Sequence, residues 1–448
     1  MFIPEYAKAT SNFDGTKLAK VVRMNNISSR YDDDMDGFEE GLMTENNLGF
    51  RDRLYFEYSN QYMCEKLMAR RQELEYLKNY GFDAAFTEQI DFCGVGVIRY
   101  LGIQNLLWIS TTPLMDAVSY NLGVPSPTSY VPTIEENDNG DTMSFWKRAY
   151  NMIDPKFPHV REIAANASLC FVNADEMFDL PRPIIHKNIY IGGLGISEPK
   201  LLNEKFTALM NKGKNGVIII SLGTIVPFHV LPERVKIGFA NVIESMSNYH
   251  FILKVSKGDN STPSFFKDVP NCDFIEWLPQ SDILAHPRLK LFVMHGGING
   301  LEEALFRGVP VVVIPMFADQ FRNGRNVEKR GVGKVILKLE LSEDKIRSAI
   351  QEILSDNSYK QNAMRMSKLM REKPFTAEQR LVRWTNFAVE NGILDVLHVQ
   401  GSRLNSIVYF NLDVIAVVTL IICSLLIVVV KLSRAIRRAL FARKVKRE

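Results

Sequence analysis

Apolar residues along this chain fall into two patterns. In one, several run together without a break, as in VIII at 217–220, LFVM at 291–294 and VVVI at 311–314. A strand buried on both faces reads this way, because neither side of it meets water. In the other they recur every three or four positions, as in INGLEEALFRG at 298–308 and PERVKIGFANVIESM at 232–246. That is the spacing of a helix with one dry face. From about residue 211 the two patterns alternate: strand VIIISLGT, helix, strand HFILKVS, a strand over 274–278, strand LKLFVM, helix, strand VPVVVIP, then helices over 342–355, 359–371 and 377–390. Such alternation predicts a doubly wound parallel sheet.

The first half repeats the theme more faintly. A helix over 59–78 closes at Gly81. Strand FDAAFTEQ (82–89), helix FCGVGVIRYLG and strand NLLWISTT then form a βαβ unit, with two more strands in 167–195. The polar patch NKGKNG at 211–216 marks a boundary, so two α/β domains are expected, over 1–210 and 211–392, with a linker over 393–406. Residues 414–430 carry no charge. Extended back to 407 they make about 36 Å of helix, which predicts a membrane span over 407–430.

Charge changes the picture at that point. The tail, 431–448, holds eight of the 54 Lys and Arg residues and a single acid, Glu448. By the positive-inside rule it is cytosolic and the body lies across the membrane. Without the tail, 46 basic residues face 50 acidic ones, which excludes a nucleic-acid partner. Lys444 and Lys446 resemble a dilysine retrieval signal for the endoplasmic reticulum, and sequons at Asn26, Asn166 and Asn260 suit a lumenal body. The first twenty residues lack the apolar core of a signal sequence, so the chain is expected to begin inside a longer protein. Five cysteines show no metal-ligand spacing and are too few for a disulfide scaffold. The acidic stretch YDDDMDGFEEG (31–41) imitates half a calcium loop, but Met43 stands where the bidentate Glu is required.

Candidate chemistry gathers where the strands of the second domain end, the edge at which doubly wound sheets bind ligands. His295-Gly296-Gly297 turns a buried strand into a helix, whose free N–H groups and dipole favour a phosphate. Ser221, Gly223 and Thr224 end another strand; Trp277, Leu278 and Gln280 end a third; Asp319 and Gln320 follow a fourth.

Residues 277–320 resemble the nucleotide-sugar signature of the UDP-glycosyltransferases. WLPQ, HGG, NG, Glu303, Pro310, Pro315 and the Asp319-Gln320 pair all sit at that family's spacing, and most of 55–448 is similar to an animal UDP-glucuronosyltransferase. Met294 and Ile298 depart from the pattern. The resemblance implies two facing Rossmann-like domains (the GT-B glycosyltransferase fold), with the acceptor in the first, the UDP-sugar in the second, and a C-terminal transmembrane helix.

It also implies roles. Trp277 stacks on the base, with Gln280 and the backbone at Leu278 on its edge. Glu303 accepts from the ribose, and Asp319 and Gln320 meet the sugar. His295, Gly297, Asn299, Gly300, Ser221, Gly223 and Thr224 surround the diphosphate. No metal or other cofactor is expected. The donor is UDP-glucuronate or UDP-glucose, with Arg322 as a candidate for the glucuronate carboxylate; the acceptor is a small lipophilic molecule. Further partners are membrane lipid and an oligomer with family members. In the family a His base is oriented by an acid, and Glu88 matches the acid. All seven histidines lie after residue 150. The base is therefore expected upstream of Met1, and a non-catalytic UDP-sugar-binding membrane protein is the alternative expectation.

Overall fold

A computed structural model of the chain describes residues 1–5, 16–27, 43, 50–88, 93–127, 129–132, 140–148, 167–223 and 226–445. The chain divides into two compact units, Met1–His398 and Val399–Glu448. The acidic stretch 31–41, Asn166, Thr224 and Lys446 lie outside the described residues.

In the first unit a short parallel pair, β1 (Phe2–Pro4) and β2 (Val22–Met24), precedes the two sheets that matter for the site. The first sheet has the order β3 (Ala85–Glu88), β4 (Leu106–Ser110), β5 (Leu169–Val172), β6 (Asn188–Tyr190), all parallel. The second is built from β7 (Gly216–Ser221), β8 (Tyr249–Lys254), β9 (Cys272–Ile275), β10 (Leu289–Met294), β11 (Val311–Val313) and β12 (Gly333–Val335). Its order is β12-β11-β10-β7-β8-β9, again all parallel.

The unbroken apolar runs have their physical reason here. Ile218, Ile220, Leu291 and Val293 enter the core on one face of the second sheet; Val217, Ile219, Phe292 and Met294 enter the core on the other. Each such side chain contributes roughly 1.5–3 kcal/mol by leaving water. The first sheet alternates likewise, with Leu106, Trp108 and Cys170 on one side and Leu107, Leu169 and Phe171 on the other.

Two expectations change, and one feature is new. The helix predicted over 59–78 is an α-helix over Phe50–Ala69 followed by a 3₁₀ helix over Arg71–Tyr80, which ends at Gly81 in the left-handed region. The helix Ala377–Asn391 falls inside the interval assigned to the second domain. It nevertheless packs on the first sheet, where Ala377 and Ala388 join Leu107, Leu169, Phe171 and Ile189. Asn105 Nδ2 donates to Ala388 O at 2.6 Å and Arg380 to Tyr190 O at 3.2 Å, so the chain returns to its first lobe before leaving the unit. Finally, Cys64 and Cys93 form a disulfide that joins the helix Phe50–Ala69 to the helix Cys93–Tyr100. Replacing both by serine is expected to lower stability by about 3.5 kcal/mol, from the chain entropy released in a loop of this length. Thermal unfolding of the detergent-solubilised chain, with and without reductant, checks it.

In the second unit a short helix, Ser406–Tyr409, ends before Asn411, whose φ of +53° breaks the path. The long helix therefore starts at Leu412 rather than at 407, and it runs through the basic tail to Val445. Its segment Leu412–Arg438 is long and apolar enough to cross a bilayer.

Candidate functional site

The order of the second sheet reverses between β7 and β10, and their register pairs Met294 with Ser221. The two chains thus leave the sheet side by side, one as Leu222-Gly223, the other as His295-Gly296-Gly297. A crevice opens at such a switch point. The His295 ring is wedged into it between two glycines: a Cβ on Gly297 would lie 2.5 Å from Nε2, and one on Gly223 would lie 2.9 Å from Cε1. Gly297 is the N-cap of the helix Ile298–Phe306 and offers no side chain to its first N–H groups. Those donors remain for an anion.

Burial pushes the His295 pKa down to about 4, helped by the charge of Lys254, so the imidazole is neutral near pH 7. Its Nδ1 is buried with no hydrogen-bond partner. Lys254, the last residue of β8, donates to Gly223 O at 2.7 Å and is itself held below the usual lysine range by burial. Nothing in the local sequence marked this cation; only the pairing of β8 with β7 brings it to the crevice. Ser221 Oγ accepts from Gly223 N at 3.4 Å and helps set the turn. Met294 and Ile298, the two departures from the family pattern, point into the core.

On one side of the helix start, Gln280 Nε2 donates to Glu303 Oε2 at 2.7 Å, with Gly300 packed close to the amide. Burial raises the Glu303 pKa, and the Gln280 bond opposes that shift. β9 stops at Ile275, so Trp277 is not a strand residue as predicted. It stands in the following loop, 75% exposed, while its neighbour Leu278 anchors the loop in the core. An exposed indole three residues before a carboxamide that holds a carboxylate suits a planar heterocycle with hydroxyls attached. If Trp277 stacks on the base of a nucleotide donor, Trp277→Ala is expected to raise the donor KM about tenfold with little change in kcat, since stacking contributes to ground and transition states alike. Initial rates at varied donor concentration test this.

On the other side, Asn323 Nδ2 bonds Gly296 O (2.9 Å) and Asp319 Oδ2 (2.7 Å), which staples the glycine turn to the loop after β11. Ala318 sits at φ +53° within that loop, a strained conformation for a residue with a Cβ. Gln320 Oε1 accepts from Met316 N (2.8 Å) and Phe317 N (3.2 Å). Its carbonyl therefore shapes the loop, and the amide nitrogen is what it can offer a ligand. Arg322 does not point at a sugar: it is buried in an ion pair with Asp179 of the first lobe at 2.8 Å.

Sequence reasoning missed Glu302. Its side chain is buried on the helix Ile298–Phe306, where Oε2 accepts from Gly193 N of the first lobe at 2.7 Å. Lys373 completes this seam, bonded to Asp175 at 2.7 Å and to Glu176 at 3.1 Å. Across the cleft, Glu88 ends β3, and its Oε1 accepts from Thr111 N at 3.0 Å and Thr111 Oγ1 at 2.9 Å.

With this geometry in view, comparison with known proteins gives a consistent result. The family model described as UDP-glucoronosyl and UDP-glucosyl transferase matches residues 34–159 and 156–448. The Caenorhabditis elegans protein ugt-50, whose name assigns it to the UDP-glucuronosyltransferases, is 38% identical over 440 residues, spanning 92% of this chain and 84% of that one. UDP-glucuronosyltransferase 1A8 of Rattus norvegicus is 28% identical, over 82% of this chain and 72% of its own. Among solved structures, a UDP-glucosyltransferase from Polygonum tinctorium capable of glucosylating indoxyl superposes with a TM-score of 0.54 at 16% identity, covering 74% of this chain and 82% of that one. The two-lobed α/β architecture is thus the GT-B glycosyltransferase fold.

Proposed function

Because the chain belongs to the UDP-glucoronosyl and UDP-glucosyl transferase family, and is thereby a glycosyltransferase, we propose that it moves a hexosyl group, glucuronate or glucose, from a UDP-sugar to the hydroxyl of a small lipophilic acceptor with inversion. The observation that carries this reading is the His295 ring fixed between Gly223 and Gly297 at an uncapped helix start. In the transfer a bond forms between the acceptor oxygen and the anomeric carbon, while the bond from that carbon to the β-phosphate oxygen breaks. Negative charge grows on that oxygen. The N–H groups of the helix start, a neutral His295 and the Lys254 ammonium meet it, so that no metal is needed for the leaving group. Trp277, Gln280 and Glu303 hold the uridine; Asn299 and Gly300 line the diphosphate; Asp319 and the Gln320 amide face the hexose. Glu88 is the acid that orients the base taking the acceptor's proton.

The setting we propose is the endoplasmic reticulum membrane, with the body in the lumen and the basic tail in the cytosol. The Cys64–Cys93 bridge supports it, since such bonds persist in oxidising compartments, as does the apolar helix Leu412–Arg438. The test is UDP release by the full chain in detergent, with UDP-glucuronate or UDP-glucose and a panel of phenols. Turnover with one donor assigns the sugar. Tight UDP binding without turnover would instead make the chain the non-catalytic UDP-sugar-binding protein.

A further inference from the structure

The carboxyl ends of three neighbouring strands of the first sheet carry Glu88, Thr111 and Asn173 in a row: Glu88 ends β3, Thr111 follows β4 and Asn173 follows β5. They are joined by hydrogen bonds. Thr111 donates its N–H and its hydroxyl to Glu88 Oε1, and its carbonyl accepts from Asn173 Nδ2 at 3.4 Å. The same Nδ2 donates across the cleft to Asn299 Oδ1 at 2.7 Å. Asn299 is the second residue of the helix Ile298–Phe306, whose start faces the proposed diphosphate.

A primary carboxamide has one accepting end and one donating end, and only the donating end suits an anion. Which end Asn299 turns to the diphosphate is therefore a matter of what holds the other. A backbone carbonyl can only accept, so the bond to Thr111 O fixes the Asn173 amide with its NH₂ toward Thr111 and Asn299. That NH₂ in turn engages the Asn299 oxygen, and the Asn299 NH₂ is left for the phosphates. We propose that Asn173 is a positioning residue for the donor site: it acts from the acceptor lobe to hold Asn299 in its anion-binding orientation. The inference rests on the donor site proposed above. Its consequence is that donor affinity depends on a residue of the opposite lobe that touches no part of the nucleotide, and that Glu88 and the diphosphate are linked by a continuous hydrogen-bonded path.

Isothermal titration of the full chain in detergent with UDP and with uridine tests it. Asn173→Asp keeps the shape but can only accept, so it draws the Asn299 NH₂ toward itself and turns the oxygen on the phosphates. UDP should then bind about tenfold more weakly, with uridine within twofold of the parent. Asn173→Leu, neutral and unable to pin Asn299, should weaken UDP about threefold, and it serves where the Asp variant fails to fold. In an Asn299→Ala background most of the Asp effect should vanish. The proposal is overturned if Asn173→Asp leaves UDP affinity unchanged, if it weakens uridine as much as UDP, or if its effect persists in full without the Asn299 side chain, which would mark simple charge repulsion. A parent chain that binds neither ligand sinks the donor site itself, a separate and recognisable failure.

Discussion

His295→Ala is expected to lower kcat/KM by at least about a hundredfold, the loss typical when one donor to a developing oxyanion is removed. The ring cannot be compensated by a neighbour, because Gly223 and Gly297 hold its two sides and have no side chains to move in. A pKa near 4 means that the ring acts as a neutral donor and not as a cation. Two consequences separate this from a generic packing defect. Rates of the unmodified chain should show no inflection near pH 6.5 arising from His295, since the imidazole is already neutral there. His295→Gln, which keeps an N–H donor at a similar reach, should recover part of the activity that alanine loses, with UDP affinity following the same order. Equal rates for the alanine variant and the parent would remove His295 from the leaving-group site.

Much of the second lobe was legible in the sequence because its strands are buried on both faces, so that burial is written as unbroken apolar runs. The glycine turn at 295–297 was legible for a related reason: few residues other than glycine can stand beside a ring at such a separation. What escaped depends on contacts between distant segments. Periodicity shows that the helix Ala377–Asn391 has a dry face, but not which sheet covers it. β9 lies at the edge of its sheet, paired on one side only, and its early end at Ile275 could not be read from letters in which Trp277 and Leu278 resume the apolar pattern after Glu276. Arg322 stands close to Asp319 and Gln320 in sequence, yet the turn of its own helix aims it at Asp179. Glu302 and Glu303 are adjacent identical letters with opposite surroundings, one against the first lobe and the other against Gln280.

That difference gives Glu302 a measurable signature. Burial pushes its pKa up to about 8; the N–H of Gly193 opposes the shift and the nearby Asp175 carboxylate adds to it. The charged groups facing it are Asp175 and Lys373, and the latter is already paired with Asp175 and Glu176. In the unfolded chain a glutamate titrates near 4.3. Between that value and about 8 the folded chain holds a proton that the unfolded chain has released, so stability falls as pH rises through this window and the full loss is present above it. At about 1.4 kcal/mol per pKa unit the loss is on the order of several kcal/mol. Glu302→Gln keeps the oxygen that accepts from Gly193 and removes the titration. It should therefore melt within a degree or two of the parent at pH 5 and several degrees above it at pH 9. Melting curves that run parallel across that range would show that Glu302 does not titrate in the seam. The same helix carries Asn299 and Glu303, so a lobe seam weakened by an ionised Glu302 is expected to loosen the proposed donor site as well. Transfer by the parent should decline above pH 8 more steeply than transfer by Glu302→Gln.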